Sequence, residues 1–112
     1  MTELATALDV VGHKWTLLIV EHLLAGPRRF TEIERALIHA NPKMVTARLR
    51  ELEAAGLVSR TVYAEVPPRV VYALTERGRD LRPAIEALRK WGARATGRAR
   101  AKNGSVGRPF IR

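Results

Sequence analysis

The stretch from Phe30 to Leu57 constrains the fold more than any other, because it carries start and stop signals for two short helices and sets which way the second one faces. Thr31 and Glu34 have the spacing of a capping box, in which two side chains satisfy orphan backbone donors of a first helical turn. Ile33 and Leu37 follow as an i, i+4 apolar pair. After a turn, Asn41 suits an N-cap and Pro42 the first helical position, where no amide hydrogen is needed. Val45, Leu49 and Leu52 then form one inward stripe. Gly56 can take the left-handed C′ position, with Leu57 meeting Leu52 in a Schellman cap. Two helices joined in this way predict a helix-turn-helix.

The rest of the chain places this unit in a larger pattern. Leu4, Leu8 and Val11 lie on one face of a short helix that Gly12 ends. From Lys14 to Leu24, Trp15, Leu17, Leu18, Ile19, Val20, Leu23 and Leu24 point nearly all round, as expected of a central, buried helix. His22 on that background reads as a satisfied core or boundary histidine. Ala25-Gly26-Pro27 is a turn, and Arg28 to Phe30 is short enough for a strand stub. After Gly56 the pattern changes to β-branched and aromatic residues over Val58 to Ala64, and to clean alternation over Arg69 to Leu74. Between them, Glu65-Val66-Pro67-Pro68 lacks two amide hydrogens and must loop out, which gives a β-hairpin with a stiff tip. Thr75 can cap a last helix from about Glu76 to Ala95, kinked or broken at Pro83.

The expected fold is therefore mainly α with a small β-hairpin wing. It is a winged helix-turn-helix with a three-helix core, a wing, and additional N- and C-terminal helices. Residues 1–96 form the folded domain, and residues 97–112 form a basic tail that the composition marks as disordered.

Charge and motifs narrow the function. The net charge is +9 and is uneven: residues 1–93 hold 14 Lys/Arg against 11 Asp/Glu, whereas residues 94–112 hold six Lys/Arg and no acid. A basic excess favours nucleic acid first and anionic membrane second. The 112 residues contain no cysteine, which excludes disulfides, thiolate zinc sites and cysteine redox sensing within them. The longest fully aliphatic run, Leu17 to Val20, is far short of the ~20 residues a membrane span needs. Met1 to Leu8 has no basic residue and no long apolar core, so it does not read as a signal peptide, and a cytoplasmic protein is expected. His13, His22 and His39 are scattered, and no catalytic constellation, cofactor motif or metal-ligand spacing is visible, so an enzyme is not expected.

The expected partner is double-stranded DNA. A recognition helix of about residues 42–55 would enter the major groove, which is wide enough to admit it, and the wing, residues 58–74, would meet phosphates or the minor groove. With Val45, Leu49 and Leu52 inward, the outward face carries Lys43, Ala47 and Arg50, flanked by Thr46. Arginine pairs bidentately with guanine, threonine reaches a base edge or a thymine methyl, and lysine suits phosphate or guanine. Arg48 lies nearer the buried side, where it would reach a phosphate or pair with an acid. Arg69 and Arg60 are the wing's phosphate candidates. The alternative is a winged-helix protein–protein assembly module whose basic tail adds nonspecific nucleic-acid affinity.

Longer segments resemble a known family. Ala7-Leu8-Asp9-Val10-Val11-Gly12-His13-Lys14-Trp15-Thr16-Leu17-Leu18-Ile19 is similar to the opening of HxlR-type winged-helix transcriptional regulators. So are Gly26-Pro27-Arg28-Arg29-Phe30-Thr31-Glu32-Ile33, the segment from Asn41 to Leu52, Gly56-Leu57-Val58 and the segment from Tyr63 to Thr75. The resemblance covers roughly residues 4–92. It implies a bacterial or archaeal DNA-binding regulator that acts as a homodimer through its first and last helices. Those surfaces map onto Leu4 and Leu8 and onto Ile85, Leu88 and Trp91. Two departures matter. Many members carry a sensing cysteine at about the position of Thr2, and position 47, often polar in the family, is alanine here. Tyr63, Tyr72, Trp15 and Trp91 are the aromatic residues from which a small-molecule effector pocket could be built, although they read more simply as core.

Overall fold

The computed structural model describes the backbone of residues 2–103 and the side chains of residues 2–96. In chain order the elements are α1 (Glu3–Val11), α2 (Thr16–Leu24), β1 (Arg28–Arg29), α3 (Phe30–Ala36), α4 (Pro42–Ala54), β2 (Val58–Tyr63), β3 (Arg69–Leu74), α5 (Glu76–Arg79) and α6 (Arg82–Asn103). The three strands form one antiparallel sheet in the order β1-β3-β2. This is a winged helix-turn-helix.

The first half of the helix-turn-helix starts earlier than its sequence suggests. Arg28 and Arg29 pair with Tyr72 and Val71 of β3, which holds the chain extended up to residue 29 and sends it straight into α3 at Phe30. Glu32 thereby takes the N3 position, and its carboxylate accepts the Arg29 backbone N–H at 2.7 Å. The capping box expected between Thr31 and Glu34 is absent, because both residues fall inside the helix. The second half follows its signals closely. Asn41 Oδ1 accepts the Lys43 N–H at 2.8 Å, and Pro42 opens α4. At the other end Gly56 has φ +78°. The Leu57 N–H donates to the Leu52 carbonyl and the Gly56 N–H to the Glu53 carbonyl, each at 3.0 Å, which completes the Schellman pair.

The core lies where α2 packs on α3, α4 and β3. Ile19, Val20, Leu23, Ile33, Val45, Leu49 and Leu52 are all buried there. Helix α2 is less enclosed than its composition predicts: it begins at Thr16, Trp15 stands at the N-cap position without a side-chain capping bond, and Leu18 is 42% exposed. His22 is half-buried, and its Nε2 is buried with no hydrogen-bond partner among the described residues, so it is not the satisfied histidine expected.

Past the wing, Thr75 ties the exit of α4 to α5. Its hydroxyl donates to the Gly56 carbonyl at 2.7 Å and accepts the Gly78 N–H at 3.1 Å, and its own N–H donates to the Leu57 carbonyl. The helix expected from Glu76 onward, kinked or broken at Pro83, is broken into two, with the break at Asp80 and Leu81, just before that proline. Pro83 sits in the first turn of α6, where its missing N–H costs no intrahelical bond. The described chain divides into two compact units between Arg82 and Pro83. The α6 backbone continues to Asn103, so residues 97–103 are helical rather than disordered, and the expected disorder of residues 104–112 falls outside the described residues.

Candidate nucleic-acid interface

Burial of Val45, Leu49 and Leu52 turns the opposite face of α4 to solvent. Two shallow depressions run along that face. The first, between α3 and α4, is lined by Phe30, Glu34, Pro42, Lys43, Thr46, Ala47 and Arg50. The second, between α4 and the wing sheet, is lined by Phe30, Thr46, Arg50, Glu53, Arg60, Val70 and Tyr72. Phe30, Thr46 and Arg50 belong to both, so the two depressions form one continuous strip from the helix-turn-helix to the wing. Lys43, Thr46, Ala47, Arg50 and Arg60, singled out from sequence, are thus brought together. The aromatic floor of the strip was not foreseen. Phe30 and Tyr72 contact each other at 6.4 Å between ring centroids, and Phe30 opens α3 instead of ending a strand stub. Glu34 and Glu53 were also missed as lining residues; their helical positions signal it only once the faces of α3 and α4 are known.

Two arginines are engaged elsewhere. The Arg48 side chain is 13% exposed, and its Nη1 lies 3.4 Å from a carboxylate oxygen of Glu51, one turn on. It takes the acid-paired option among those its position allows. Arg69 does not line the strip. Its guanidinium is bound along one edge by Glu65, with Nε and Nη2 at 3.1 and 2.9 Å from Oε2. It also lies 3.9 Å from the ring centroid of Tyr63, its cross-strand partner. The hydrogen bond from Arg69 holds the Glu65 carboxyl below its ordinary value, and the same bond raises that of Arg69.

On α1, Leu4 and Leu8 are exposed, and on α6 Leu88 and Trp91 are about half exposed (53% and 51%). Ile85 is already buried in the single chain, at 5%. Three of the aromatic residues considered for an effector pocket have separate partners: Tyr63 lies under the Arg69 guanidinium, Tyr72 meets Phe30 at a tilt of 49°, and the Lys14 ammonium lies 4.9 Å from the Trp15 ring centroid. Thr2, at the family's cysteine position, caps α1 by accepting the Ala5 N–H at 3.0 Å. Among the described residues, no group of three or more His, Cys, Asp or Glu side chains could hold a metal ion. Among the described residues, no helix is long and apolar enough to cross a membrane.

A helix-turn-helix that exposes a basic, small-residue face beside a β-hairpin defines the class of winged-helix DNA-binding proteins. Within that class the chain belongs to the HxlR-like helix-turn-helix family, whose model matches residues 10–100. An uncharacterised HTH-type transcriptional regulator of Bacillus subtilis, YybR, is 46% identical over 85 residues, 76% of this chain and 68% of that protein. The crystal structure of the HTH-type transcriptional regulator YtcD superposes with a TM-score of 0.80 at 42% identity, covering 85% of this chain and 97% of that one. The redox regulator HypR in its oxidized form superposes with a TM-score of 0.78, also at 42% identity, over 82% of this chain and 95% of that chain. The family, like these relatives, is one of transcriptional regulators.

Proposed function

We propose that the chain is a homodimeric regulator that reads a specific operator with α4 in the major groove and lays its wing against the flanking backbone. The observation that carries this reading is the continuous strip in which Thr46 and Arg50 are shared by the α3–α4 side and the wing side. Arg50, exposed at its centre, reads a base; Thr46 reads an adjacent edge across Ala47, whose small side chain permits close approach. Lys43 and Arg60, at the two ends, bind phosphates. Arg48 acts through its pair with Glu51, steadying α4, and Arg69 is a wing residue under the control of its neighbours.

The exposed apolar residues Leu4 and Leu8 of α1 and Leu88 and Trp91 of α6 support a dimer, since large side chains left half in water gain from a second copy. A two-fold dimer places its recognition helices on half-sites about 34–36 Å apart. The regulator works in the cytoplasm. Within these 112 residues an effector would find no cysteine thiol to act on.

The test is selection of bound duplexes from a randomised pool, followed by titration of Arg50→Ala on the recovered site. A palindromic site and a loss of about 1–3 kcal/mol, relaxed at one base position, are expected. Unselective recovery, or unchanged affinity of the variant, means that α4 does not read the operator as described.

A further inference from the structure

The wing tip carries an ion pair that the reading above does not use. Glu65 and Arg69 stand at either end of the Val66-Pro67-Pro68 loop, and two hydrogen bonds from the guanidinium to Glu65 Oε2 close it. Tyr63 lies beneath the guanidinium. Both charged side chains keep contact with water, at 29% exposure for Arg69 and 50% for Glu65. The arrangement is therefore accessible to a phosphate, yet already neutral.

We infer that Glu65 is a specificity-determining residue of the wing: it neutralises Arg69 in the free chain and so withholds that charge from DNA that α4 has not docked. The inference rests on the DNA-binding reading proposed above and deepens it. Arginine has five N–H donors. Glu65 occupies the Nε and Nη2 edge, which leaves Nη1 and the second Nη2 hydrogen without a partner among the described residues, on a side chain that is 29% exposed. A phosphate approaching loosely meets the pair as a unit with no net charge, so its attraction to Arg69 and its repulsion by Glu65 nearly cancel beyond the pair's own separation. A phosphate held at contact distance by a correctly docked α4 meets the free donors directly and competes with Glu65 for the guanidinium.

The rest of the strip makes this one charge count. Lys43, Arg50 and Arg60 are balanced in part by Glu34 and Glu53, which line the same depressions. Nonspecific affinity follows the number of phosphates neutralised. On a face with so small a cationic surplus, freeing one arginine changes nonspecific binding more than it changes binding set by base contacts.

The experiment compares the wild-type full chain with Glu65→Gln, Glu65→Gln/Arg69→Ala and Arg50→Ala. Each is titrated over a salt series on the selected duplex and on an unrelated duplex of equal length, with thermal unfolding as the fold check. For Glu65→Gln on the unrelated duplex, the expected result is tighter binding and a log–log salt slope steeper by about 0.9, so that the gain shrinks about threefold between about 50 and 200 mM salt. The gain on the selected duplex is smaller, and the specificity ratio falls. Adding Arg69→Ala abolishes the gain. An unchanged slope overturns the inference, and so does weaker binding to both duplexes, which would make Glu65 a support that presents Arg69 to phosphate. Persistence of the gain without Arg69 also overturns it, as a general effect of net charge. Failure of the underlying reading looks different: Arg50→Ala then leaves the selected duplex unaffected, whatever Glu65→Gln does on unrelated DNA.

Discussion

Gly56 is the hinge between the recognition helix and the wing, and its replacement by alanine isolates one physical term. The residue has φ +78°, and a Cβ built there meets no heavy atom within 4 Å. The variant therefore pays for backbone conformation and for nothing else. Holding an L-residue in the left-handed region costs about 1–2 kcal/mol. The more restricted unfolded chain of the alanine variant returns about 0.4–1 kcal/mol of that. A net loss of about 1 kcal/mol remains, which lowers the melting temperature by about 4 °C in a chain of this size. The Schellman hydrogen bonds survive, because they are made by backbone. Gly78 provides the contrast. A Cβ there would strike the Leu57 carbonyl oxygen, which is backbone and cannot swing aside. Alanine is worth about 1 kcal/mol more than glycine in a helix interior, so propensity alone predicts that Gly78→Ala in α5 is stabilising. The collision reverses the sign, and the loss should exceed that of Gly56→Ala. Denaturant unfolding followed by circular dichroism measures both. If Gly78→Ala is as stable as the wild type, or if Gly56→Ala loses more than Gly78→Ala, the reasoning about space and φ is wrong.

Two further outcomes follow from the same geometry. Asn41→Ala removes the Oδ1 that caps α4 and should cost about 1 kcal/mol by thermal unfolding; a variant of wild-type stability would show that solvent replaces the cap without loss. Trp91→Glu places a charge on the exposed apolar face of α6, and sedimentation should show the wild type as a dimer and the variant as a monomer; a dimer that survives the charge would remove Trp91 from the interface.

What the sequence determined by itself is local. Asn41, Pro42 and Gly56 act through backbone groups within a few residues, so their roles could be read directly, and the 3.6-residue period of Val45, Leu49 and Leu52 told which face of α4 would be buried. With that face set, Lys43, Thr46, Ala47 and Arg50 had to point outward. The alternation from Arg69 to Leu74 and the two prolines before it marked the wing.

Other features needed the tertiary structure, because they depend on which strands pair and on how the loops between them turn. The strand β1 exists only because β3 lies beside it, and that pairing moved the start of α3 to Phe30 and the N3 position to Glu32. Thr75 bonds at once to the Gly56 carbonyl and the Gly78 N–H, so the start of α5 is tied to the far end of α4. Arg69 looked from sequence like a free cation on an exposed hairpin. Only the register of β2 on β3 sets Tyr63 opposite it, and only the loop geometry returns Glu65 to its guanidinium. A charge reports its type in the sequence, but its availability depends on which partner the fold brings within about 4 Å, where an opposite charge is felt most strongly.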